Sequence, residues 1–198
     1  MSFMILNKIN SLFNNKALRA FWLKFRILIF LVLIALALPR LDPSLLLPAF
    51  LVSLFGELIQ LWSFASLDKN ANIAARGPYS LCRNPMYLGR FFLVLGAVIL
   101  LHSPVIVAIY TVVYYFYMVN RVKREEKKLQ GIFGEGYRSY CLRVNRFLPD
   151  IIKADWKSVP YFRWKLFFQN NAHWNFLSML LLYLLFYLFT IIKPNLHW

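Results

Sequence analysis

The chain has 198 residues, of which 60% are hydrophobic and 16% charged, and its mean hydropathy is +0.55. This composition excludes an ordinary soluble globular protein and predicts an all-α integral membrane bundle, with residues 1–198 forming a single domain. The net charge of +15 would suggest a nucleic-acid partner in a soluble protein, but the placement of the charge, described below, argues against one.

Five apolar stretches are predicted to cross the membrane after an interfacial helix formed by residues 1–20. Ala35-Leu36-Ala37 is typical of a signal-peptidase site, but the charged leader is long for a signal peptide, so we expect no cleavage there. Only His102 and Ser103 separate the third and fourth stretches, which predicts a tight helical hairpin. The predicted spans are Phe21–Leu38, Ser44–Ala65, Met86–Leu101, Pro104–Val119 and Phe176–Ile192.

Basic residues fall almost entirely on one predicted side of the membrane. With a cytoplasmic N-terminus, the cytoplasmic segments hold twenty Lys and Arg residues, and the outer segments hold only Arg40 and Lys193. Such a bias sets membrane orientation and attracts anionic lipid. We therefore expect a membrane and no nucleic acid as the partner of this charge, and no obligate protein partner is evident.

Polar and small residues mark the second and third spans. Glu57 and Gln60 lie one turn apart in span two, and an ionisable group at membrane depth indicates either function or a hidden partner. Arg90 or a backbone group is the expected partner of Glu57. Gly89 and Gly96 share one face of span three, which favours close helix contact.

The stretch from Arg76 to Arg90 lies between two apolar blocks and is unusually polar for a connecting loop. Asn84-Pro85 predicts a helix start, with the Asn side chain capping free backbone N–H groups. Such a terminus suits a carboxylate or phosphate, and Arg83 and Arg90 lie on either side of it. The sequence thus indicates an anion-receptive pocket; the alternative is that both arginines meet lipid headgroups.

The helical pattern continues past span four, through an acid pair at Glu125 and Glu126. At 100° per residue, both acids fall within about 60° of the apolar face and away from the neighbouring lysines. Two adjacent carboxylates turned inward need a cationic guest or an internal arginine such as Arg83. The segment Asp155–Trp174 is predicted to lie at the membrane interface. Cys82 and Cys141 fall on the cytoplasmic side, where a disulfide is not expected, and the three scattered His residues indicate no metal site.

These features together resemble the isoprenylcysteine carboxyl methyltransferase and phospholipid methyltransferase superfamily. That family carries a G-x-Y…R-H-P-x-Y-x-G motif, a Glu-Glu pair about forty residues on, and an FG-x-x-Y…LP tail. Asn84 replaces the His of eukaryotic members and cannot take up a proton. The resemblance covers about residues 56–149, through Gly77-Pro78-Tyr79, Arg83-Asn84-Pro85-Met86-Tyr87-Leu88-Gly89, Glu125-Glu126, Phe133–Tyr137 and Leu148-Pro149.

The resemblance implies an S-adenosylmethionine-dependent enzyme with its cofactor pocket on the cytosolic face. Residues 56–149 would form the methyltransferase core, and residues 150–198 an interfacial segment plus an extra membrane helix. Arg83 or Arg146 would hold an acceptor carboxylate or phosphate. The implied cofactor-binding residues are Gly77, Tyr79, Asn84, Pro85, Tyr87, Gly89, Glu125, Glu126 and Leu148.

The acceptor is expected to be amphiphilic or lipid-linked, and the sequence leaves carboxylate O-methylation and amine N-methylation both open. A second hypothesis is an NADPH-dependent membrane reductase of the sterol-reductase type, although a site for that cofactor should be mainly basic. A third is a polybasic membrane scaffold without activity, whose acids should face solvent.

Overall fold

The computed structural model of the protein describes residues 2–68, 72–152 and 154–192. These residues form helices and connecting turns, with no strand in the described part of the chain. Lys69, Lys153 and Lys193, which contribute to the predicted charge bias, lie outside it. The helices are α1 (Ser2–Asn14), α2 (Lys16–Ala37), α3 (Leu46–Ser66), α4 (Pro85–Ile99), α5 (Pro104–Arg143), α6 (Trp164–Gln169) and α7 (Ala172–Ile192).

The predicted all-helical membrane fold is confirmed, with one difference in the number of full spans. Among the described residues, four segments are long and apolar enough to cross a membrane: Lys16–Arg40, Pro43–Ser66, Pro104–Arg143 and Ala172–Ile192. The predicted third span corresponds to α4, which has only 15 residues. Such a helix is about 22 Å long, which is less than the thickness of the hydrocarbon core.

Helices α3 and α4 form the closest contact in the bundle, through the glycines of their facing surfaces. A Cβ atom added to Gly89 would come within 2.6 Å of the Gly56 carbonyl oxygen, and one on Gly56 would overlap the backbone of Leu93. Gly96 lies equally close to the backbone of Ala49. Small residues allow two helix backbones to approach, so the predicted role of Gly89 and Gly96 is confirmed.

Helices α4 and α5 form the predicted hairpin, and α5 extends well beyond it. His102 turns the chain with a φ of 48°, and the imidazole contacts Asp42 at 2.6 Å. The Tyr110 and Tyr114 hydroxyls donate to backbone carbonyls of α4 at 2.9 and 2.7 Å. The helix axis is interrupted at Gly134, whose φ is 52°. The break separates the part of α5 that carries Glu125 and Glu126 from a shorter helical segment that ends at Arg143.

Helix α7 closes the bundle against α3. Tyr183 contacts the Ser53 hydroxyl at 2.7 Å and donates to the Ala49 carbonyl oxygen at 3.0 Å. Buried apolar side chains from both helices and the adjoining turns pack around this point: Leu41, Ala49, Leu100, Met179, Tyr183 and Phe186. Before α7, residues 155–168 form a turn and α6, with Trp156 and Trp164 exposed as expected of an interfacial segment.

The N-terminal helices lie at the periphery. Helix α1 contacts α5 through amide side chains: Asn14 donates to the Asn120 Oδ1 atom, and Asn120 donates to the Asn10 Oδ1 atom, both at 2.7 Å. Helix α2 has no buried residue. Its two ends are held by α1 and by the turn that follows Ala37, while its length faces the membrane.

Glu57 does not form the expected direct ion pair with Arg90, although the charge of Arg90 acts on this carboxyl from a longer distance. Glu57 is fully buried in α3, and the Gln60 side chain donates to its Oε2 atom at 3.2 Å. Arg90 makes no ion pair within 4.0 Å of this carboxyl among the described residues, and its guanidinium lies instead 6.0 Å from the centre of the Tyr87 ring. Gln60 is the hydrogen-bond partner because its side chain projects from the same helix one turn later.

Candidate active site

The start of α4 and the extension of α5 enclose a cavity of about 280 Å³ at one membrane end of the bundle. The loop that follows α3 forms a third wall. Aromatic, aliphatic and polar side chains all contribute to its surface. The lining residues are Leu67, Asp68, Asn72, Ile73, Ala74, Tyr79, Arg83, Asn84, Met86, Tyr87, Glu125, Leu129, Phe133, Tyr137 and Tyr140.

Asn84 begins α4 but does not cap it with its side chain, contrary to the prediction. The Asn84 side-chain amide donates to the Glu126 Oε1 atom at 3.3 Å and to the Arg146 carbonyl oxygen at 3.1 Å. A charged acceptor makes a stronger bond than a neutral one, so the carboxylate attracts the amide away from the helix end. Pro85 occupies the first helical position, as predicted.

Glu126 is buried and paired with two arginines. Its Oε1 atom lies 3.3 Å from the Arg83 Nε atom, and its Oε2 atom accepts a hydrogen bond from Arg146 at 2.5 Å. Of the two readings left open by the sequence, the internal arginine partner is therefore the one found for Glu126. This carboxylate joins α5, the loop before α4 and the segment after α5.

Glu125 differs from its neighbour, and the prediction that both acids turn inward is wrong for it. The Glu125 side chain is exposed and lines the cavity, where the Tyr87 hydroxyl donates to its Oε2 atom at 2.6 Å. Arg121 donates to the same Tyr87 hydroxyl at 3.3 Å. Within the described residues, Glu125 has no ion-pair partner within 4.0 Å. Successive residues of a helix project about 100° apart, so one acid is buried while the next faces the cavity.

Tyrosines form the wall opposite α4. The Tyr140 hydroxyl donates to the Tyr79 carbonyl oxygen at 2.8 Å, and the rings of Tyr137 and Tyr140 lie 5.9 Å apart. Burial raises the pKa of Tyr79 well above its usual value, so this phenol is neutral at physiological pH. The cavity thus combines the carboxylates of Glu125 and Asp68 with aromatic faces.

The sequence-predicted site residues divide into two groups. Tyr79, Arg83, Asn84, Tyr87 and Glu125 line the cavity. The others lie elsewhere: Gly89 is packed against Gly56, Gly77 is buried beside Ser66, Pro85 is buried at the start of α4, Leu148 is 74% exposed, and Glu126 and Arg146 form the ion pair behind the cavity. The cofactor contacts assigned to this second group remain predictions.

Sequence reasoning missed Met86, Tyr137 and Tyr140 as lining residues. The Tyr residues lie beyond the break at Gly134, so helical periodicity counted from span four does not give their direction. Leu129 and Phe133 also line the cavity and are not among the predicted site residues. Their positions about one and two turns beyond Glu125 were the available signal.

Both cysteines are free. Cys82 is buried beside the start of α4, and burial raises the pKa of its thiol to about 11. The backbone N–H of Asn84 donates to the sulfur, which opposes this rise to a smaller extent. The described residues contain no group of three or more His, Cys, Asp or Glu side chains that could hold a metal ion.

The fold defines a helical membrane protein with a cavity at one membrane end. The resemblance predicted from its motifs is confirmed, because residues 47–136 match the family model for phospholipid methyltransferases. This region runs from the start of α3 into the extension of α5. It contains both the Glu pair and the start of α4.

Curated relatives point to the same family. The chain is similar to protein-S-isoprenylcysteine O-methyltransferases of Rattus norvegicus (28% identical over 113 residues, 51% of this chain and 40% of the relative) and Xenopus laevis (30% over 110 residues, 50% and 38%). The Saccharomyces cerevisiae protein of that name is 35% identical over 75 residues, 38% of this chain and 31% of the relative. The chain thus spans about two fifths of the length of the first two relatives. No solved structure matches it.

Proposed function

We propose that this protein is a membrane methyltransferase that uses S-adenosylmethionine to methylate an amphiphilic or lipid-linked acceptor. The observation that carries the proposal is the unpaired Glu125 carboxylate on an aromatic-walled cavity, inside the region similar to methyltransferases. A cavity lined by carboxylates and aromatic faces suits a small cationic ligand.

The side chains of the cavity fit the proposed donor. When bound, S-adenosylmethionine supplies an electrophilic methyl group on a sulfonium, and it also carries an ammonium, a ribose and a carboxylate. Glu125 would bind the ammonium or the ribose hydroxyls, and Tyr87 would orient that carboxylate through their 2.6 Å bond. Arg83 and the start of α4 would bind the carboxylate of the donor. The aromatic rings of Tyr79 and Tyr137 would face the positive charge.

The acceptor would reach the cavity from the membrane, while the donor would come from water. A carboxylate acceptor is already nucleophilic at neutral pH, so the chain need only orient it and exclude water. Such a role requires no protein base, which fits an Asn rather than a His at position 84. Half-exposed Arg146 is the candidate to hold an acceptor carboxylate or phosphate, since one edge of its guanidinium faces outward.

The comparisons give no support to the membrane-reductase alternative. A binding site for NADPH would present several cations to its phosphates, whereas Arg83 is the only Lys or Arg among the described cavity-lining residues. A scaffold without a ligand would have no use for a cavity at this position. We also propose that the active site lies on the cytoplasmic face, because the distribution of basic residues predicts that the start of α4 lies on that side.

Calorimetry with S-adenosylhomocysteine tests the proposal directly, because this product analogue keeps the ammonium and carboxylate. The wild-type protein should bind it and should not bind NADPH. Glu125→Gln should weaken binding about tenfold or more, since it removes a charge-assisted contact. The matched control is Glu135→Gln, on the same helix, where the carboxylate is 81% exposed and contacts only Arg138.

The control variant should retain the wild-type affinity within about twofold. Equal affinities for wild type and Glu125→Gln would remove the cofactor assignment. Binding of NADPH in place of the methionine derivative would favour the reductase.

A further inference from the structure

A second cleft opens on the other side of the loop that precedes α4. It is lined by Arg76, Lys157, Ser158, Pro160 and Tyr161, and it shares no lining residue with the active-site cavity. The Arg76 guanidinium carbon lies 5.4 Å from the centre of the Tyr161 ring. Two cationic side chains therefore border one cleft, with an aromatic ring beneath one of them.

The position of the cleft along the membrane normal follows from its anchors on α3. The Tyr161 carbonyl oxygen accepts hydrogen bonds from the Trp62 indole at 3.1 Å and the Ser66 hydroxyl at 3.0 Å. The backbone N–H of Arg163 donates to the Ala65 carbonyl oxygen at 3.0 Å. Because Ser66 ends a membrane-spanning helix, the cleft lies at the level of the lipid headgroups.

Exposed aromatic side chains flank the cleft on the chain segment that forms it. Trp156 is 59% exposed and Trp164 is 66% exposed, and Phe162 lies between them in sequence. Tryptophan is enriched where hydrocarbon meets headgroups, because its ring is apolar and its N–H is polar. This segment therefore rests on the membrane surface rather than in open solvent.

The two cations of the cleft are available to an anion. Neither Arg76 nor Lys157 has an ion-pair partner within 4.0 Å in the part of the chain that the structure describes. The nearest acid in sequence, Asp155, is engaged by the Ser158 hydroxyl at 2.5 Å and by the Lys157 backbone N–H at 3.2 Å. The carboxylate of Asp155 thus stabilises the turn, and it attracts the Lys157 ammonium only from beyond ion-pair distance.

We propose that this cleft binds the phosphate of an anionic phospholipid, with Arg76 and Lys157 as its ligands. The headgroup depth and the flanking aromatics favour a lipid over a free phosphate ion. The Ser158 carbonyl oxygen also accepts a hydrogen bond from Gly77 at 2.8 Å, and Gly77 begins the turn that carries Tyr79 into the cavity. A bound lipid would therefore stabilise the loop that forms one wall of the active site.

The test uses the full-length protein in detergent, titrated with phosphatidylglycerol and followed by native mass spectrometry and thermal unfolding. Phosphatidylcholine and inorganic phosphate serve as comparison ligands. The Arg76→Gln, Lys157→Gln double variant should bind phosphatidylglycerol at least about tenfold more weakly, because contacts to a charged group are lost. The matched control is the Arg163→Gln, Lys165→Gln double variant, which removes the same charge from exposed positions outside the cleft.

The control should stay within about twofold of wild type, and phosphatidylglycerol should raise the unfolding temperature of wild type and control only. Equal loss in both double variants would overturn the proposal in favour of general surface charge. Equal binding of phosphatidylcholine, or displacement of the lipid by equimolar inorganic phosphate, would overturn it too. Should the double variant fold poorly, the single exposed change Lys157→Gln must still weaken binding several-fold.

Discussion

Helix α2 and the α3–α4 pair are both strongly apolar parts of one chain, yet they are packed very differently. Nine residues of α3 are buried, and its backbone meets that of α4 at Gly56 and Gly89, whereas α2 has no buried residue. In a membrane, lipid solvates an apolar side chain as well as a protein does. Apolarity therefore allows a helix to span the membrane, and small residues determine whether it packs closely against another helix.

The difference coincides with the family match. Residues 47–136 begin near the start of α3 and end within α5, so the matched region contains the α3–α4 contact and all of the cavity-lining residues except Tyr137 and Tyr140. Helices α1 and α2 lie outside it. The packed region positions Tyr87 against Glu125 across two helices, which requires a fixed distance between them.

The largest effect is expected from Gly56→Leu, which would break the packed region. A side chain there would overlap the backbone of α4, and backbone overlap cannot be relieved by a rotamer change. We expect a loss of about 3 kcal/mol or more in the free energy of unfolding, and no monodisperse protein in detergent. Size-exclusion chromatography and thermal unfolding measure this.

The matched control is Ala35→Leu, which places the same side chain at an exposed position of α2. It should unfold within a few degrees of wild type. A similar loss of stability in both variants would show that α2 also packs closely, and the contrast between the two regions would disappear.

Glu126→Ala should have the second largest effect, and it tests how far the packed region depends on its ion pairs. The change leaves Arg83 buried without its carboxylate, a situation that costs about 3 kcal/mol or more in well-buried pairs. Arg146 is half exposed, so its loss adds little. We expect a decrease of about 2–3 kcal/mol in stability by thermal unfolding, against less than 0.5 kcal/mol for Glu135→Ala. Equal stability of the two variants would show that the ion pairs of Glu126 do not stabilise the packed region.

The sequence predicted the elements of the packed region well, since each depends on local signals. Apolar runs gave the spans, Asn84-Pro85 gave the start of α4, and the spacing of Gly89 and Gly96 gave its contact face. The ordered motifs gave the family resemblance. The contacts between segments were harder to predict, because a charged group can pair with any neighbour in space and not only with residues near it in sequence. The sequence offered Arg83 as one option for the acid pair, but it could not distinguish Glu126 from Glu125.

The remaining errors also come from long-range geometry. The Glu57 carboxyl accepts a hydrogen bond from Gln60 and forms no ion pair with Arg90. The Asn84 side chain donates to Glu126 and does not cap its own helix. The break at Gly134 redirected Tyr137 and Tyr140 into the cavity, which no count along a regular helix predicts. In each case the local preference was real but weaker than a contact made between segments.

The smallest effect is expected at the amide contact between α1 and α5, which attaches the N-terminal helices to the rest of the bundle. Asn120 is 4% exposed and makes one hydrogen bond to each of two asparagines of α1, while Arg124 contacts Asn14 and the Phe13 carbonyl oxygen. Asn120→Ala removes both amide bonds at a cost of about 1–2 kcal/mol. Because α2 has no other buried contact, this should free both N-terminal helices without disturbing the cavity.

Trypsin should then cleave at Lys16 and Arg19 at least about fivefold faster, with affinity for S-adenosylhomocysteine unchanged within twofold. Thr111→Ala, on an exposed face of α5, is the control and should leave the cleavage rate at its wild-type value. A parallel loss of ligand affinity in Asn120→Ala would instead make the N-terminal helices part of the active site.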